Sequence, residues 1–419
     1  MVLVARLALA RQSQRPAVSW RRASPCCRGL FAPKTLSTGA ALTASRSLSD
    51  DGGRCRSTLG AIEQAEKHGD RLATVCGEGR HSYADLVGDS AALSVALRGL
   101  CPAADGSATP DLDGARVAFL CPPGAAFVTT LWAIWRAGGI SVPLCTTHPA
   151  DELRYVLEDS AAQVVVVHAD FADALSPVTS ELAAQLVSVD YHATLSAAAA
   201  HTSEQPVVEE GRQAHIVYTS GTTGRPKGVV HTHRAIRHQI TDLVSAWAWV
   251  PSDRILHFLP LHHTHGIINK LACPLWVGAT VEFIQPGYSA PAVWARLIAG
   301  VCPKSQTTAK PAKKEKQRGR RATPPPRRQK RMPPITVFMA VPTVYAQLVE
   351  VWEGWAGDGS HQSKEYEKEQ RALARQACDG VRLMVCGSAA LPLATLNCWR
   401  TISGHVSPAI YHSRKCDWD

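Results

Sequence analysis

Hydroxyl, glycine and lysine residues crowd together between Ile216 and Val230, where the chain reads IVYTSGTTGRPKGVV. An apolar, strand-like run ends at Thr219, and Ser220, Gly221, Thr222, Thr223, Gly224, Arg225, Pro226 and Lys227 follow. Glycines let the backbone bend until several N–H groups face one point, the hydroxyls add neutral donors, and the lysine supplies a mobile positive charge. Such a loop suits the oxygens of a phosphate chain. It is not a Walker A loop, which needs glycine immediately before the lysine where Pro226 stands, and it is not a G-x-G-x-x-G turn. The competing reading is a Gly/Thr-rich surface loop; the strand exit, the hydroxyl triplet and G-R-P-K-G in one uninterrupted run weigh against it.

The segment YTSGTTGRPKG resembles the ATP phosphate loop of the adenylate-forming acyl-CoA synthetases. Two further segments resemble that family's motifs in the same order. LPLHHTHG, from Leu259 to Gly266, is similar to the L-P-x-x-H-x-x-G segment that lines the carboxylate pocket, and GSAALP, from Gly387 to Pro392, is similar to the loop beside adenine. The resemblance runs from about Thr58 to His405, apart from an insertion. It implies an α/β fold, the large N-terminal domain of those enzymes, with helix-covered mixed sheets in two subdomains. It also implies a two-step reaction in which a carboxylate and ATP give an acyl adenylate and pyrophosphate, and coenzyme A, as co-substrate, then displaces AMP. Magnesium would spread the developing phosphate charge.

By the same resemblance, Thr219 to Lys227 hold the β and γ phosphates, with Lys227, Thr222 and His263 in catalytic positions. His262, His263, His265 and Gly266 line the acyl pocket, and Gly387, Ser388 and Ala389 border the nucleotide. LPLHHTHGI and the run CGSAALP…W…SGH look like the malonyl-CoA synthetase branch, which implies malonate, a small dicarboxylic acid, as substrate and malonyl-CoA for mitochondrial fatty acid synthesis as product. A wall of histidines suits a small polar acid better than a long acyl tail, unless one or two of them are satisfied core residues. Two competing readings stand beside this one: a medium- or long-chain fatty acid as substrate, and a non-catalytic ATP-binding remnant.

These segments need a scaffold, and the flanking sequence supplies one. Strands are expected at 115–121, 140–144, 163–168, 186–189, 215–219, 255–259, 280–284, 335–339 and 382–386. Helices are expected from Asp151 and from Phe171, and another along Phe127, Leu131, Ile134, Trp135 and Gly138, which share one helix face. Alternation of this kind points to an α/β sheet covered by helices on both faces.

Charge is distributed unevenly. The chain of 419 residues carries +10, with 45% hydrophobic and 19% charged residues, which excludes global disorder. Residues 1–49 contribute +8 and residues 303–334 contribute +11, leaving about −9 for everything else. No nucleic acid is expected as a partner, since neither basic segment has a binding motif and the second lacks aromatics for base stacking. The first reads as a mitochondrial transit peptide and leader over 1–56, which implies the matrix as destination and the import machinery as a partner. The second, with seven prolines and no Leu, Ile, Val, Phe, Tyr or Trp, reads as a disordered insertion between 57–302 and 335–405 of one AMP-binding domain. The 13 cysteines include no C-x-x-C pair, which gives a zinc ribbon no support and fits a reducing compartment. No transmembrane segment is expected.

Beyond His405 the resemblance stops. Where the family has E-R-Y-G-x-T-E, residues 406–419 form a divergent tail, and the family's mobile C-terminal lid with its catalytic lysine has no counterpart in the sequence. The expectation is a shortened polypeptide with little or no complete synthetase activity.

Overall fold

The computed structural model describes residues 60–99, 111–182, 187–193, 208–219, 224–284, 287–301, 332–355, 361–405 and 409–410. The leader, most of the basic insertion, Ser220 to Thr223 and most of the tail lie outside these residues.

Two mixed sheets organise the chain. The first has seven strands: β1 (Leu72–Cys76), β2 (Gly79–Ser82), β9 (Arg254–His257), β10 (Thr280–Phe283), β11 (Val337–Ala340), β12 (Leu383–Cys386) and β13 (Ala409–Ile410), in the order β13-β12-β11-β9-β10-β1-β2. The second has six: β3 (Arg116–Leu120), β4 (Ile140–Pro143), β5 (Val164–Val167), β6 (Val187–Asp190), β7 (Gln213–Thr219) and β8 (Lys227–Thr232), in the order β6-β5-β3-β4-β7-β8. Every pairing is parallel except one antiparallel hairpin at an edge of each sheet, β1 with β2 and β7 with β8. Parallel strands need crossovers, and the intervening helices provide them while covering the sheets.

Strand residues feed two cores in alternation, as a period of two demands. In β5, Val164 and Val166 enter the core shared with the first sheet, whereas Val165 and Val167 meet Leu153, Val156 and Leu175 on the opposite face. The first sheet repeats the scheme: Val337 and Met339 face the shared core, while Phe338 and Ala340 pack on Trp294, Tyr345 and Trp399. The result is five layers, helix–sheet–helix–sheet–helix.

Three expectations change. The helix Ala125–Arg136 is buried at all twelve positions, because it fills the layer between the sheets instead of covering one outer face. It stops at Arg136, so Gly138 lies past its end with φ +76° and not on the helical stripe. Lys227 and Gly228, read as loop, begin β8. The hairpin β1–β2 and the short β13 have no counterpart among the expected strands: β2 reads GRHS with no apolar residue to mark it, and β13 is only two residues long.

A buried polar cluster supports the first sheet from beneath. Glu282 of β10 pairs with both Arg254 of β9 and Arg296 of the helix Ala290–Ala299, and Arg296 also donates to the Pro333 carbonyl at 2.8 Å. Burial raises the Glu282 carboxyl, but the two guanidiniums outweigh it and hold it below the usual range.

Candidate active site

The hairpin β7–β8 presents the Gly/Thr-rich run at its tip. Thr219 and Lys227 are directly paired across the ladder, and Lys227 is exposed. β8 lies at the sheet edge, so among the described residues no strand pairs on its outer side. Gly224, Arg225 and Pro226 are the described part of the tip; Ser220, Gly221, Thr222 and Thr223 lie outside the described residues.

Two tyrosines not singled out from the sequence brace the tip. Tyr155, on the helix Ala150–Asp159, donates its hydroxyl to the Pro226 carbonyl at 2.7 Å, and the Arg225 guanidinium sits 5.4 Å above its ring. Tyr218 donates to Asp159 at 2.8 Å and meets Tyr155 edge-on at 6.4 Å. Tyr155 and Asp159 are four residues apart on one helix, so they face the same way. That spacing was the available signal.

A cleft of about 550 Å³ opens beside the tip, lined among others by Tyr155, Thr219, Arg225, Pro226, His262 and His263. It brings Thr219, Arg225 and Pro226 together with two of the histidines from the second motif, while Lys227 and Gly224 are not among its lining residues. His265 turns the other way. It is buried, and its Nδ1 lies 3.2 Å from the Ser388 Oγ, joining the second and third motifs across 123 residues of sequence. Glycines permit this contact. A Cβ on Gly387 would stand 2.9 Å from the His265 ring, and a Cβ on Gly266 would collide with the Pro260 carbonyl oxygen. Ser388 takes φ +69°, a left-handed conformation that costs on the order of 1 kcal/mol for a residue with a Cβ, and Ala389 beside it is exposed.

The segment His265–Ala272 is a π-helix, a rare form found often at functional sites. Its Lys270 is fully buried: the ammonium nitrogen donates to the Met339 carbonyl at 2.6 Å and lies 3.6 Å from the Phe258 ring centroid. Burial drives the amine well below its ordinary range. Burial, followed by the nearby Lys270, pushes His265 down to about 4 and His257 to about 3, and burial also lowers His262. His257 contacts the Gly266 carbonyl at 3.0 Å. The histidines behind the cleft are thus neutral at physiological pH.

Residues 62–309, more than half of the chain, match the family described as AMP-binding enzyme. The chain belongs to the AMP-binding enzyme family. Among curated members, it is 40% identical over 342 residues to human malonate–CoA ligase ACSF3, mitochondrial, covering 81% of this chain and 52% of that protein. It is 31% identical to malonate–CoA ligase of Arabidopsis thaliana, over 82% of this chain and 53% of that protein. The chain therefore spans about half the length of the curated relatives it matches. Among solved structures, ATP-bound MatB from Rhodopseudomonas palustris superposes with a TM-score of 0.61 at 23% identity, over 84% of this chain and 59% of that one, a likeness of fold alone. A malonyl-CoA ligase ternary product complex with methylmalonyl-CoA and AMP bound gives 0.60 at 25% identity, over 85% and 61%. In this AMP-binding chain the α/β architecture expected from the sequence is the one observed, with two mixed sheets and covering helices.

Magnesium is usually held by one or two carboxylates together with substrate phosphates and water. It prefers oxygen ligands in a tight octahedron. The clusters of three potential ligands among the described residues are Cys145, His148 and His262, which offer only sulfur and nitrogen, and Cys76, Glu78 and His81, which adds one carboxylate oxygen. Neither cluster is a magnesium site, and an ion carried with a nucleotide would take most of its ligands from the phosphates and water.

Proposed function

We propose that this chain carries the large domain of an ATP-dependent acid:CoA ligase acting on malonate. The observation that supports the reading best is the cleft in which Thr219 and Arg225 of the hairpin tip face His262 and His263. ATP phosphates would lie along the tip, with Lys227 and the loop N–H groups drawing off negative charge as a carboxylate oxygen attacks the α-phosphorus and pyrophosphate leaves. In the second half-reaction a coenzyme A sulfur attacks the acyl carbonyl carbon and AMP departs. The neutral histidine wall offers hydrogen bonds to a compact polar acid without the cost of burying a cation. Relatives named as malonate–CoA ligases support malonate as the acid.

The decisive measurement is ATP–pyrophosphate exchange driven by malonate and, separately, by palmitate. We expect exchange with malonate and little with palmitate, and the reverse preference overturns the substrate assignment. Lys227→Ala should reduce exchange at least tenfold, with an unchanged melting temperature because its side chain is exposed. Nucleotide binding with no exchange for either acid would favour a non-catalytic, ATP-binding role.

The mitochondrial relatives and the arginine-rich composition of residues 1–49 support delivery to the mitochondrion. A fluorescent protein carrying residues 1–56 should co-localise with mitochondria. Cytosolic fluorescence would refute it.

A further inference from the structure

We propose that Cys145, His148 and His262 form a binding site for zinc on the wall of the cleft. The three side chains each place a ligand atom within 4.8 Å of the other two. Cys145 is buried, and the two histidines are half-buried. They come from separate parts of the chain. Cys145 and His148 end a turn after β4 in which the His148 N–H donates to the Cys145 carbonyl at 3.3 Å, so residues i and i+3 face the same side. His262 arrives from the loop after β9, with its ring centroid 5.4 Å from that of His148.

The donor chemistry selects the metal. One thiolate and two imidazoles are soft to borderline ligands that suit zinc and disfavour magnesium or calcium. Tetrahedral zinc, with bonds of about 2.0–2.3 Å, asks its donors to stand roughly 3.3–3.7 Å apart, so closure needs side-chain adjustments of about 1 Å. Binding exchanges the Cys145 S–H proton for a zinc–sulfur bond, and that proton leaves to solvent. Three protein ligands leave a fourth position for water.

Supporting contacts of the kind metal sites use are also present. The His148 Nδ1 lies 3.2 Å from a Glu152 carboxylate oxygen. A proton held there leaves Nε2 with its lone pair free for a metal, and a carboxylate on the far nitrogen is the common orientation device for a ligating histidine. The Thr147 hydroxyl sits 3.2 Å from the Cys145 sulfur, where it can donate to a thiolate. The second cluster, Cys76 with Glu78 and His81, is the weaker candidate, since its Cys76 and Glu78 are already in contact at 3.9 Å and Glu78 also faces His168 at 3.3 Å.

The site does not rest on the ligase reading and is tested without substrates. The metal-stripped full chain is titrated with cobalt(II), the absorbance is followed for a thiolate-to-cobalt charge-transfer band, and zinc is then added to displace it. The expected result is a band that saturates at one equivalent and is bleached by one equivalent of zinc. Cys145→Ser should abolish the band. His148→Gln should weaken zinc binding at least tenfold, and its half-buried position keeps the test valid even if the buried cysteine variant does not fold. Cys76→Ser should change neither. The proposal is overturned if no band forms, if band and zinc affinity persist in both Cys145→Ser and His148→Gln, or if only Cys76→Ser removes them.

Discussion

Acid should unfold this protein well before its carboxylates titrate. His215, His233, His257 and His265 are all buried, and burial is the main reason each is pushed down, to about 3, 4, 3 and 4 respectively. In each, one ring nitrogen finds no hydrogen-bond partner among the described residues, so protonation would place an unmatched N–H in the interior. The native state binds fewer protons than the unfolded chain, whose histidines titrate near 6.5. The stabilisation is therefore complete above about pH 6.5 and is lost as pH falls toward 4. Each histidine costs about 1.3 kcal/mol at pH 5.5 relative to pH 7, and the four together cost about 5 kcal/mol. That rivals the whole stability of many domains, roughly 5–15 kcal/mol. Asp253 and Glu282 do not obscure the effect. Burial pushes both up, but their arginine partners hold them below the normal carboxylate range and outside this pH window. Urea titrations at pH 7.0, 6.2 and 5.5 read the effect directly: with a slope of about 3 kcal/mol per molar, the midpoint should fall by about 1.7 M. A midpoint constant to within about 0.3 M would refute the reasoning. His263, His262 and His231 are lowered by burial too, so His257→Gln should remove only part of the dependence, less than a quarter.

Other perturbations separate site from scaffold. Glu282→Ala leaves the Arg254 and Arg296 guanidiniums buried without their partner and should cost about 3–5 kcal/mol, read as a large drop in the thermal or urea midpoint. Gly266→Ala forces a Cβ into the Pro260 carbonyl and should destabilise by about 1–3 kcal/mol or more, measured in the same way. Tyr155→Phe removes the hydroxyl that fixes the Pro226 carbonyl; it should weaken nucleotide binding while costing only about 1 kcal/mol in stability, and calorimetry with ATP distinguishes the two effects.

Much of the scaffold was legible because its strands are short apolar runs bounded by polar turns. The four consecutive valines of β5 and the run Leu383–Cys386 declare themselves. Less visible was anything decided by pairing across the chain. Nothing local says that Lys227 starts an edge strand, since that depends on Gln213–Thr219 lying alongside it. Nor does the LPLHHTHG run reveal that its last histidine turns away from the cleft. That follows from the Ser388 hydroxyl and from the space left by Gly387, more than 120 residues later. The helix Ala125–Arg136 shows the same limit: its stripe was readable, but burial of its remaining faces depends on a second sheet that only the tertiary fold supplies.

The anchoring of Pro333 by Arg296 bears on how much chain the domain can carry between its two halves. Gly300 lies against Pro334, close enough that a Cβ on the glycine would come 2.9 Å from the proline Cα. The segment between them therefore leaves and re-enters the surface at a single point, and Thr336 donates its N–H to the Arg254 carbonyl at 3.0 Å just before β11 begins. With its two ends held side by side, the length of that path enters the domain's stability chiefly through loop closure. Doubling it changes the closure cost by only about 0.6 kcal/mol. This junction is accordingly the point of the fold where a shorter or longer connection should cost least, since both of its ends are already fixed by Arg296 and by the contact of Gly300 with Pro334.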